Sequence, residues 1–381
     1  MLFLLVMLST PAAATVSYEA RLQSLLNDAV RDGLPGVSLV IRGLGTDFAA
    51  AAGVADVVTG EPLTVDHRIY MASLGKTFTA TIALQLCNEA RLDLDEPVAA
   101  WLPDRVAKRI PMSDAITLRD LLSHRSGIPD YMNDAVAWQT DFIRDPGRHW
   151  THSDIVTYLY HKPLLFEPGS EFDYSNSNYI LAGMILEQVT GQPLHALIRK
   201  RILEPLGLKH TINGEQRARN EPDAHGYVIR RGRVIDTYPW FGHYGLADSG
   251  IQSTPHDMAL FAESLFSTGK LLSKRMRAEM TDVAMTGRSH SGYGLGIYVQ
   301  QNPWGAGLRW YSHDGIDPGY QADLMYQPDL DLSIVLATNA SMGKAERIYT
   351  KLLSDVVRLV LNVVRQYHSV PYYFQTRPDR Q

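Results

Sequence analysis

The pattern of apolar and polar positions near the start of the chain predicts one amphipathic helix, two strands and a second helix. Apolar residues recur at helical spacing from Tyr18 to Gly33, and the glycine is a common helix stop. Strand-like patterns follow at Gly36 to Gly43 and Phe48 to Asp56, around a turn at Gly45-Thr46-Asp47. From Lys76 to Ala90 the apolar spacing is again helical and contains no Gly or Pro.

The middle of the chain, from about residue 91 to residue 290, consists mostly of helical patterns separated by loops rich in Pro and Gly. The helices predicted there are Leu118 to Leu122 after the capping residue Thr117, Tyr179 to Val189, Leu194 to Leu203, and Pro255 to Phe266 after Thr254. Strand patterns return at Gly294 to Gln300, Gly307 to Ser312, Tyr320 to Gln327 and Leu332 to Thr338, before a terminal helix with one apolar face from Leu352 to Val363. Early strands, a helical middle and late strands fit an α+β fold, in which both chain ends complete one antiparallel sheet.

Length and composition are those of an ordinary globular protein. The 381 residues are 45% apolar and 20% charged, with a net charge of -5 when His is counted as neutral. This length allows one large domain or two smaller ones. No basic stripe is present, which argues against nucleic acid as a partner. Cys87 is the only cysteine, so the monomer has no internal disulfide, and its place on an apolar helix side is typical of a small core residue.

The first residues resemble a signal peptide. An apolar run from Leu2 to Leu8 is followed by Ser9-Thr10-Pro11 and three alanines, with an expected cleavage site after Ala14. The run is too short to span a bilayer, and no other stretch reaches that length. We therefore expect export to the periplasm or the medium. No Lys or Arg precedes Arg21, however, which leaves two alternatives: a true start further upstream, or a buried apolar tail.

The tetrapeptide Ser73-Leu74-Gly75-Lys76 is the most informative chemical pattern. The spacing S-x-x-K also occurs at Ser267 to Lys270 and at Ser341 to Lys344. The Ser267 pattern ends a predicted helix, and the Ser341 pattern lies in a predicted loop. Only Ser73 opens a helix, where free N–H groups and the positive end of the dipole can stabilise an oxyanion.

A serine three positions before a lysine on a helix places the hydroxyl and the amine on one face, one turn apart. A serine hydroxyl is a poor nucleophile until a neighbouring base accepts its proton. A lysine that is partly removed from water has a lowered pKa and can serve as that base. Ser73 is therefore the candidate nucleophile, and Lys76 is the candidate general base.

Two later tripeptides, Tyr174-Ser175-Asn176 and His313-Asp314-Gly315, follow the tetrapeptide along the chain. Together the three motifs resemble the serine β-lactamase and penicillin-binding-protein superfamily. The second and third motifs resemble the branch that holds class C β-lactamases, D,D-carboxypeptidases, D-aminopeptidases and related esterases. The resemblance covers most of the chain beyond these motifs, and four further segments look like recurring family segments: Leu121 to Pro129, Pro168-Gly169, Pro205 to Leu208 and Gly250 to Thr254.

The resemblance implies a β-lactamase/transpeptidase-like fold with flanking helices, a mostly helical inserted lobe, and the site between the two lobes. We therefore expect a single hydrolase domain over residues 15–381. Its sheet lobe would comprise about residues 15–90 and 291–365, and its helical lobe about residues 91–290.

The resemblance also implies roles for the polar residues of the motifs. The phenol of Tyr174 would face Ser73 and shuttle a proton, and whether Lys76 or Tyr174 is the base stays open. Asn176 would hold Lys76 or a substrate carbonyl group, or would act as a helix N-cap. His313 would place a donor or partial positive charge near the Tyr174 oxygen.

The third motif would also shape the substrate-binding edge. Gly315 would let the substrate backbone lie against the strand, and the N–H groups of Ile316 and Ser73 would form the oxyanion hole. Asp314 departs from the family pattern, which usually has a small or hydroxyl residue there. If its side chain faces the cleft, it repels the carboxylate of β-lactams and D-Ala-D-Ala peptides. Neighbouring strand residues point to opposite faces, so an orientation away from the cleft is the alternative.

These observations predict a serine hydrolase that acts through an acyl-enzyme on a small ester, amide or peptide, without a metal or other cofactor. The carboxylate of Asp314 favours an esterase-like or D-amino-acid peptidase-like enzyme. The alternatives are a class C-type β-lactamase or D,D-carboxypeptidase, and a penicillin-binding or sensor module that deacylates slowly. His149 and His152 lack a third plausible ligand nearby, which argues against a metal site.

Overall fold

The computed structural model describes residues 17–43, 46–214, 222–230, 233–241, 246–285, 291–301, 303–304 and 307–368. The expected signal peptide with its cleavage site after Ala14, and Gly45 of the predicted turn, lie outside these residues.

The helices begin with α1, whose Ser17 side chain accepts a hydrogen bond from the Ala20 N–H and caps the first turn. The α-helices are α1 Tyr18–Asp32, α2 Gly75–Asn88, α3 Asp104–Ala107, α4 Leu118–Leu122, α5 Tyr131–Asp134, α6 Val136–Arg144, α7 His152–Ile155, α8 Asn176–Thr190, α9 Leu194–Ile198, α10 Glu204–Leu206, α11 Tyr238–Phe241, α12 Pro255–Phe266, α13 Lys274–Thr281 and α14 Lys344–His368. Short 3-10 turns occur at Ala72–Leu74, Val98–Ala100 and Val156–Leu159, and a π-helical turn at Arg199–Leu203 continues α9.

The strands form one large antiparallel sheet and two small ones. They are β1 Gly36–Gly43, β2 Thr46–Asp56, β3 Glu61–Pro62, β4 Ile69–Tyr70, β5 Ile212–Asn213, β6 Tyr227–Arg230, β7 Arg233–Asp236, β8 Ile251–Ser253, β9 Ala284–Met285, β10 Ser291–Tyr293, β11 Tyr298–Gln301, β12 Arg309–Asp317, β13 Tyr320–Gln327, β14 Leu332–Thr338 and β15 Ala340–Ser341. The large sheet has the order β3-β2-β1-β14-β13-β12-β11-β10-β9. The pairing of β1 with β14 joins the two ends of the chain, and the α+β prediction is confirmed.

The two faces of the large sheet are covered by different helices. Along β13, Tyr320, Ala322, Leu324 and Tyr326 belong to the core shared with α2 and the helices of the chain's middle. Met325 and the β14 residue Leu336 belong to a second core with α1 and α14. Side chains along a strand point alternately to its two faces, so β13 contributes residues to both cores. Helix α2 is buried along nearly its whole length, which places the residues before it at the centre of the molecule.

Several predicted elements are confirmed by the structure. The strands Gly36–Gly43, Tyr320–Gln327 and Leu332–Thr338 and the helix Pro255–Phe266 have the predicted bounds. Thr117 and Asp120 form the expected capping box. The lobe boundaries given above stay a prediction.

Two strand predictions near the third motif were wrong in part. Gly294 to Ile297 is a tight turn between β10 and β11, closed by a 2.9 Å hydrogen bond from the Gly294 N–H to the Ile297 carbonyl. Gly296 has φ 77°, and a Cβ there would lie 2.5 Å from Cβ of Ala80 on α2. The chain turns where that helix approaches it. The predicted strand at Gly307–Ser312 runs on as β12 to Asp317, so His313-Asp314-Gly315 lies inside a strand.

No helix within the described ranges is both long enough and apolar enough to cross a membrane.

Candidate active site

Ser73 lies in the 3-10 turn that leads directly into α2. The preceding residue, Ala72, has φ 47°, an unusual value for a residue with a Cβ and typical of strained functional turns. Gly75 allows this turn to approach the segment Ala247–Gly250, because a Cβ at Gly75 would lie 2.4 Å from the Ser249 carbonyl oxygen. The nucleophile turn is therefore fixed by its neighbours.

Lys76 is fully buried and its Nζ is surrounded by three acceptors. Nζ lies 3.0 Å from Ser73 Oγ, 2.7 Å from Asn176 Oδ1 and 2.7 Å from the backbone oxygen of Asp248. Burial lowers the pKa of Lys76, although the carboxylates of Asp248 and Asp130 oppose this shift. A neutral amine has two N–H groups and one lone pair. With Asn176 and Asp248 accepting the two protons, the lone pair points at Ser73.

Tyr174 lies just before α8 with its hydroxyl hydrogen-bonded to Ser73 and its ring 5.1 Å from Lys76 Nζ. Burial raises the pKa of this phenol well above its usual value, so it is protonated at neutral pH. His124 packs on the ring with centroids 4.1 Å apart, and its Nδ1 accepts the N–H of Ser175 at 3.1 Å. Burial lowers the pKa of His124 well below its usual value, which keeps the imidazole neutral. His124 thus holds the second motif in place through the Tyr174 ring and the Ser175 N–H.

Asn176 is the first residue of α8, and Ser175 occupies the N-cap position. Its amide connects two charged groups, because Oδ1 accepts from Lys76 while Nδ2 donates to Asp130 Oδ2 at 3.0 Å. Asp130 is 5% exposed, and burial raises the pKa of its carboxyl to about 6. The motif analysis missed Asp130, although it directly follows the family-like segment that ends at Pro129.

The imidazole of His313 contacts the Tyr293 hydroxyl, and the expected donor role near the Tyr174 oxygen stays a prediction. Its imidazole is 1% exposed, with Nε2 2.9 Å from the Tyr293 hydroxyl and Nδ1 2.7 Å from the Asp314 backbone oxygen. The centroids of the His313 and Tyr174 rings lie 6.4 Å apart. Alternation along β12 turns His313 inward and Asp314 outward. Burial lowers the pKa of His313 to about 4, so the ring is neutral at neutral pH.

Gly315 packs closely against the turn that holds Ser73, and the expected contact of this strand edge with a substrate backbone stays a prediction. A Cβ at this position would lie 2.3 Å from the Met71 carbonyl oxygen and 3.1 Å from Cβ of Ala72. The missing side chain therefore makes room for the backbone of the nucleophile turn. From residue 313 to residue 317, β12 pairs with β13 on one edge, and its other contact is with that turn. Ile316 and Ser73 line the same cleft, and the oxyanion hole formed by their N–H groups stays a prediction.

We expect Gly315→Ala to lower both stability and activity. The new methyl group meets a backbone oxygen that cannot move without displacing Ser73, and overpacking of this kind costs about 1–3 kcal/mol. Thermal unfolding and kcat/KM measure the two effects. Gly147→Ala is the matched control, because a Cβ there has only an ordinary 3.7 Å contact with Pro239. Unchanged unfolding and activity in Gly315→Ala would contradict this packing argument.

A cleft of about 580 Å³ opens above Ser73 and is strongly acidic. The polar residues that line it include Ser73, Tyr174 and Asn176 together with four carboxylates: Asp130, Asp248, Asp314 and Asp317. No lysine, arginine or histidine of the described ranges lines it. Asp314 is exposed and lines the cleft, and Ile316 lies beside it on the same strand face.

Besides Asp130, two more of the carboxylates hold their protons more tightly than usual. Burial raises the pKa of Asp317 to about 7, with the neighbouring charge of Asp248 adding to the shift and Lys76 opposing it. Burial also raises the pKa of Asp248, whose Oδ2 accepts the Tyr131 hydroxyl at 2.8 Å. A positively charged ligand group would therefore be favoured in this cleft, because it would compensate these carboxylates. The sequence motifs missed both residues.

The remaining candidates have structural contacts. Ser341 is buried, and its Oγ donates to the Asp317 carbonyl at 2.6 Å. Ser267 follows α12 as its C-cap and contacts Asp331. His152 contacts Glu187 and the Ala247 N–H. Within the described part of the chain, no group of three or more His, Cys, Asp or Glu side chains could hold a metal ion.

Comparison with known proteins places this geometry in a family. The family model described as "Beta-lactamase" matches residues 20–356. A D-stereospecific amidohydrolase from Streptomyces sp. has a structure with TM-score 0.74 and 32% identity, covering 84% of this chain and 94% of that one. D-amino acid amidase from Ochrobactrum anthropi SV3 gives TM-score 0.78 and 29% identity, covering 91% of this chain and 98% of that one. PbpX of Bacillus subtilis (strain 168), named for penicillin binding, is 27% identical over 88% of this chain and 79% of its own length.

Proposed function

The chain belongs to the β-lactamase family, and from that premise we propose that it is a serine hydrolase of amides and esters whose acyl group carries a free ammonium group. Amides of D-amino acids are the substrate class that we infer. The acidic cleft carries this proposal, since four carboxylates line the cleft that holds Ser73.

Acylation begins with the hydroxyl of Ser73. Its proton passes to Nζ of Lys76 as Oγ attacks the substrate carbonyl carbon. The negative charge that develops on the carbonyl oxygen is stabilised by the N–H groups of Ser73 and Ile316. As the tetrahedral intermediate collapses, the bond to the leaving amine breaks. The amine takes up a proton from Lys76, with the Tyr174 hydroxyl as the shuttle at Ser73 Oγ.

Deacylation reverses these steps with water as the nucleophile. Lys76 and Tyr174 accept a proton from the attacking water and return one to Ser73 Oγ, so that the acid product leaves and the enzyme is restored. The acyl group stays close to the cleft carboxylates through both steps. Their charges therefore act on the transition states as well as on substrate binding.

The charge of the cleft distinguishes between the substrates of the family. Two unit charges 4 Å apart interact by about 4 kcal/mol at an effective dielectric constant of 20, and by about 1 kcal/mol in water. Asp314 is exposed, so its contribution lies towards the lower value. It attracts an ammonium group and repels the carboxylate of a β-lactam. The names of two structural neighbours, an amidase of D-amino acids and a D-stereospecific amidohydrolase, support the same substrate class.

The test is a substrate panel with wild type and Asp314→Asn. We expect wild type to hydrolyse D-phenylalanine amide in preference to its N-acetylated form and to a chromogenic cephalosporin. Asp314→Asn should lose about fivefold to tenfold in kcat/KM for the amine substrate, because about 1 kcal/mol of attraction is removed. The same change should leave the N-acetylated amide unaffected and improve capture of the cephalosporin.

Asp114→Asn is the matched control, since this aspartate is exposed and far from the residues that line the cleft. It should leave all three rates unchanged. Efficient cephalosporin hydrolysis by wild type, with no preference for the free amine, would contradict the proposed substrate class. Short-chain nitrophenyl esters in the same panel test for an esterase.

The second candidate is a penicillin-binding module that is acylated at Ser73 and deacylates slowly. The similarity to PbpX favours it, because that protein is named for penicillin binding. Mass spectrometry after mixing with a cephalosporin separates the two functions. A persistent adduct on Ser73 supports the binding module, whereas rapid return of the free enzyme supports turnover.

A further inference from the structure

The segment Ala247–Gly250 carries the carbonyl group that holds Lys76, and its backbone is fixed from several sides. The Ala247 carbonyl accepts the Thr79 hydroxyl at 2.7 Å, and the Gly250 N–H donates to the Tyr70 hydroxyl at 3.2 Å. Ala247 and Asp248 are fully buried. A buried N–H group without a partner is costly, so the partner of the Ala247 N–H is informative.

That partner is His152, the first residue of α7. The Ala247 N–H donates to Nε2 of His152 at 3.0 Å, and Nδ1 of the same ring lies 3.0 Å from Glu187 Oε2. An ionised carboxylate only accepts hydrogen bonds, so Glu187 selects the tautomer with the proton on Nδ1. That tautomer leaves the Nε2 lone pair free for the Ala247 N–H. His152 is 6% exposed, whereas the side chain of Glu187 is 33% exposed.

Helix α8 leaves room for this contact. A Cβ at Gly183 would lie 2.5 Å from Cβ of Ala247 and 2.8 Å from Nε2 of His152. Glu187 is one turn further along the same helix, and Asn176 is its first residue. Helix α8 therefore supplies one acceptor of Lys76 directly, the Asn176 amide. It supports the other acceptor, the Asp248 carbonyl, through His152 and Ala247.

We propose that His152 is a positioning residue for the general base. It fixes the Ala247–Asp248 peptide so that the Asp248 carbonyl and the Asn176 amide together aim the Lys76 lone pair at Ser73. This inference rests on the proposed serine hydrolase function. It gives a role to a histidine that sequence analysis could treat only as an unconvincing metal ligand.

The expected kinetic signature follows from the geometry. If the Asp248 carbonyl moves, one N–H of the neutral amine loses its acceptor, and the lone pair no longer points steadily at Ser73. Proton transfer then slows, while the cleft residues on other elements, among them Tyr174 and Asp314, stay in place. The loss should therefore appear in kcat, with KM changed little.

Three substitutions at His152 test this. His152→Leu removes both hydrogen bonds. His152→Gln places its amide oxygen near the position of Nε2 and can still accept from Ala247, whereas the shorter His152→Asn reaches only the position of Nδ1. Each is assayed with D-phenylalanine amide and with p-nitrophenyl acetate, and thermal unfolding monitors the fold.

We expect His152→Leu to lower kcat about 10-fold to 100-fold, which is less than the full contribution of a general base, because Lys76 remains in place. His152→Gln should retain most of the activity. His149→Leu is the matched control, since His149 is exposed in the same tetrapeptide, and it should behave as wild type. If His152→Leu does not fold, the comparison of His152→Gln with His152→Asn tests the positioning role. We expect kcat of His152→Gln to exceed that of His152→Asn about tenfold.

Equal kcat values for folded Gln and Asn variants, or a folded His152→Leu with wild-type kcat, would overturn the positioning role. If wild type hydrolyses p-nitrophenyl acetate but not D-phenylalanine amide, the proposed substrate class is wrong. The kcat values of the His152 variants with the ester then still test the positioning role. A wild type inert toward both substrates would overturn the proposed function and this inference with it.

Discussion

Ser73→Ala is expected to abolish hydrolysis, with kcat/KM falling on the order of 10⁴-fold or more. Without Oγ no acyl-enzyme forms, and Lys76 and Tyr174 have no nucleophile to activate. The fold should persist, because the hydroxyl supplies side-chain hydrogen bonds that contribute about 1 kcal/mol each. Turnover of p-nitrophenyl acetate and of D-phenylalanine amide, together with thermal unfolding, measures both effects.

Ser267→Ala is the matched control for this variant, since Ser267 belongs to a second S-x-x-K pattern at the surface end of α12. It should retain full activity. Ser341 is a poorer control than its loop-like sequence suggested, because its buried hydroxyl bonds to the Asp317 backbone near the cleft. More than a few per cent of wild-type activity in folded Ser73→Ala would exclude Ser73 as the nucleophile.

Lys76→Met should give the second largest loss, on the order of 10²-fold to 10⁴-fold in kcat. The substitution keeps the volume and apolar stem of the side chain but removes the only amine that contacts Ser73 Oγ within the described residues. Tyr174 still contacts the nucleophile, yet its raised pKa makes it a reluctant base at neutral pH. Steady-state kinetics from pH 6 to pH 10 measure the loss.

The controls for Lys76→Met separate chemistry from folding. Loss of the amine leaves the buried Asn176 Oδ1 and Asp248 carbonyl oxygens without its two hydrogen bonds, so we expect a lower unfolding temperature, and the kinetics are compared below it. Lys270→Met changes the exposed lysine of the second S-x-x-K pattern and should be silent. A fully active Lys76→Met would assign the base role to Tyr174, which settles the choice that the motifs leave open.

Much of the fold could be predicted because burial follows the sequence pattern in these elements. The strands β13 and β14 are apolar runs buried on both faces, and their bounds coincide with the runs. The turn at Gly294–Ile297 could not be predicted in this way. Its apolar and glycine residues look like a strand, and only the approach of α2 at Ala80 forces the chain to turn.

The site shows the same division between local and distant causes. The contact of Lys76 with Ser73 follows from helical spacing alone. The orientation of His313 and Asp314 could not be predicted, because alternation fixes only that they face opposite sides, and the packing of β12 decides which side is the cleft. Asp248 and Asp317 come from distant segments, and no motif spacing connects them with Ser73.

The pairing of β1 with β14 has a consequence for how the molecule is made. The Thr338 hydroxyl donates to the Gly36 carbonyl across 302 residues of sequence. At about 5–20 residues per second, a ribosome needs about 15–60 seconds between the two strands. During that interval the apolar β1–β2 hairpin has an open edge, which is a template for pairing with another chain. Such long-range pairing also slows folding, so the nascent chain depends on protection of that edge until β14 emerges.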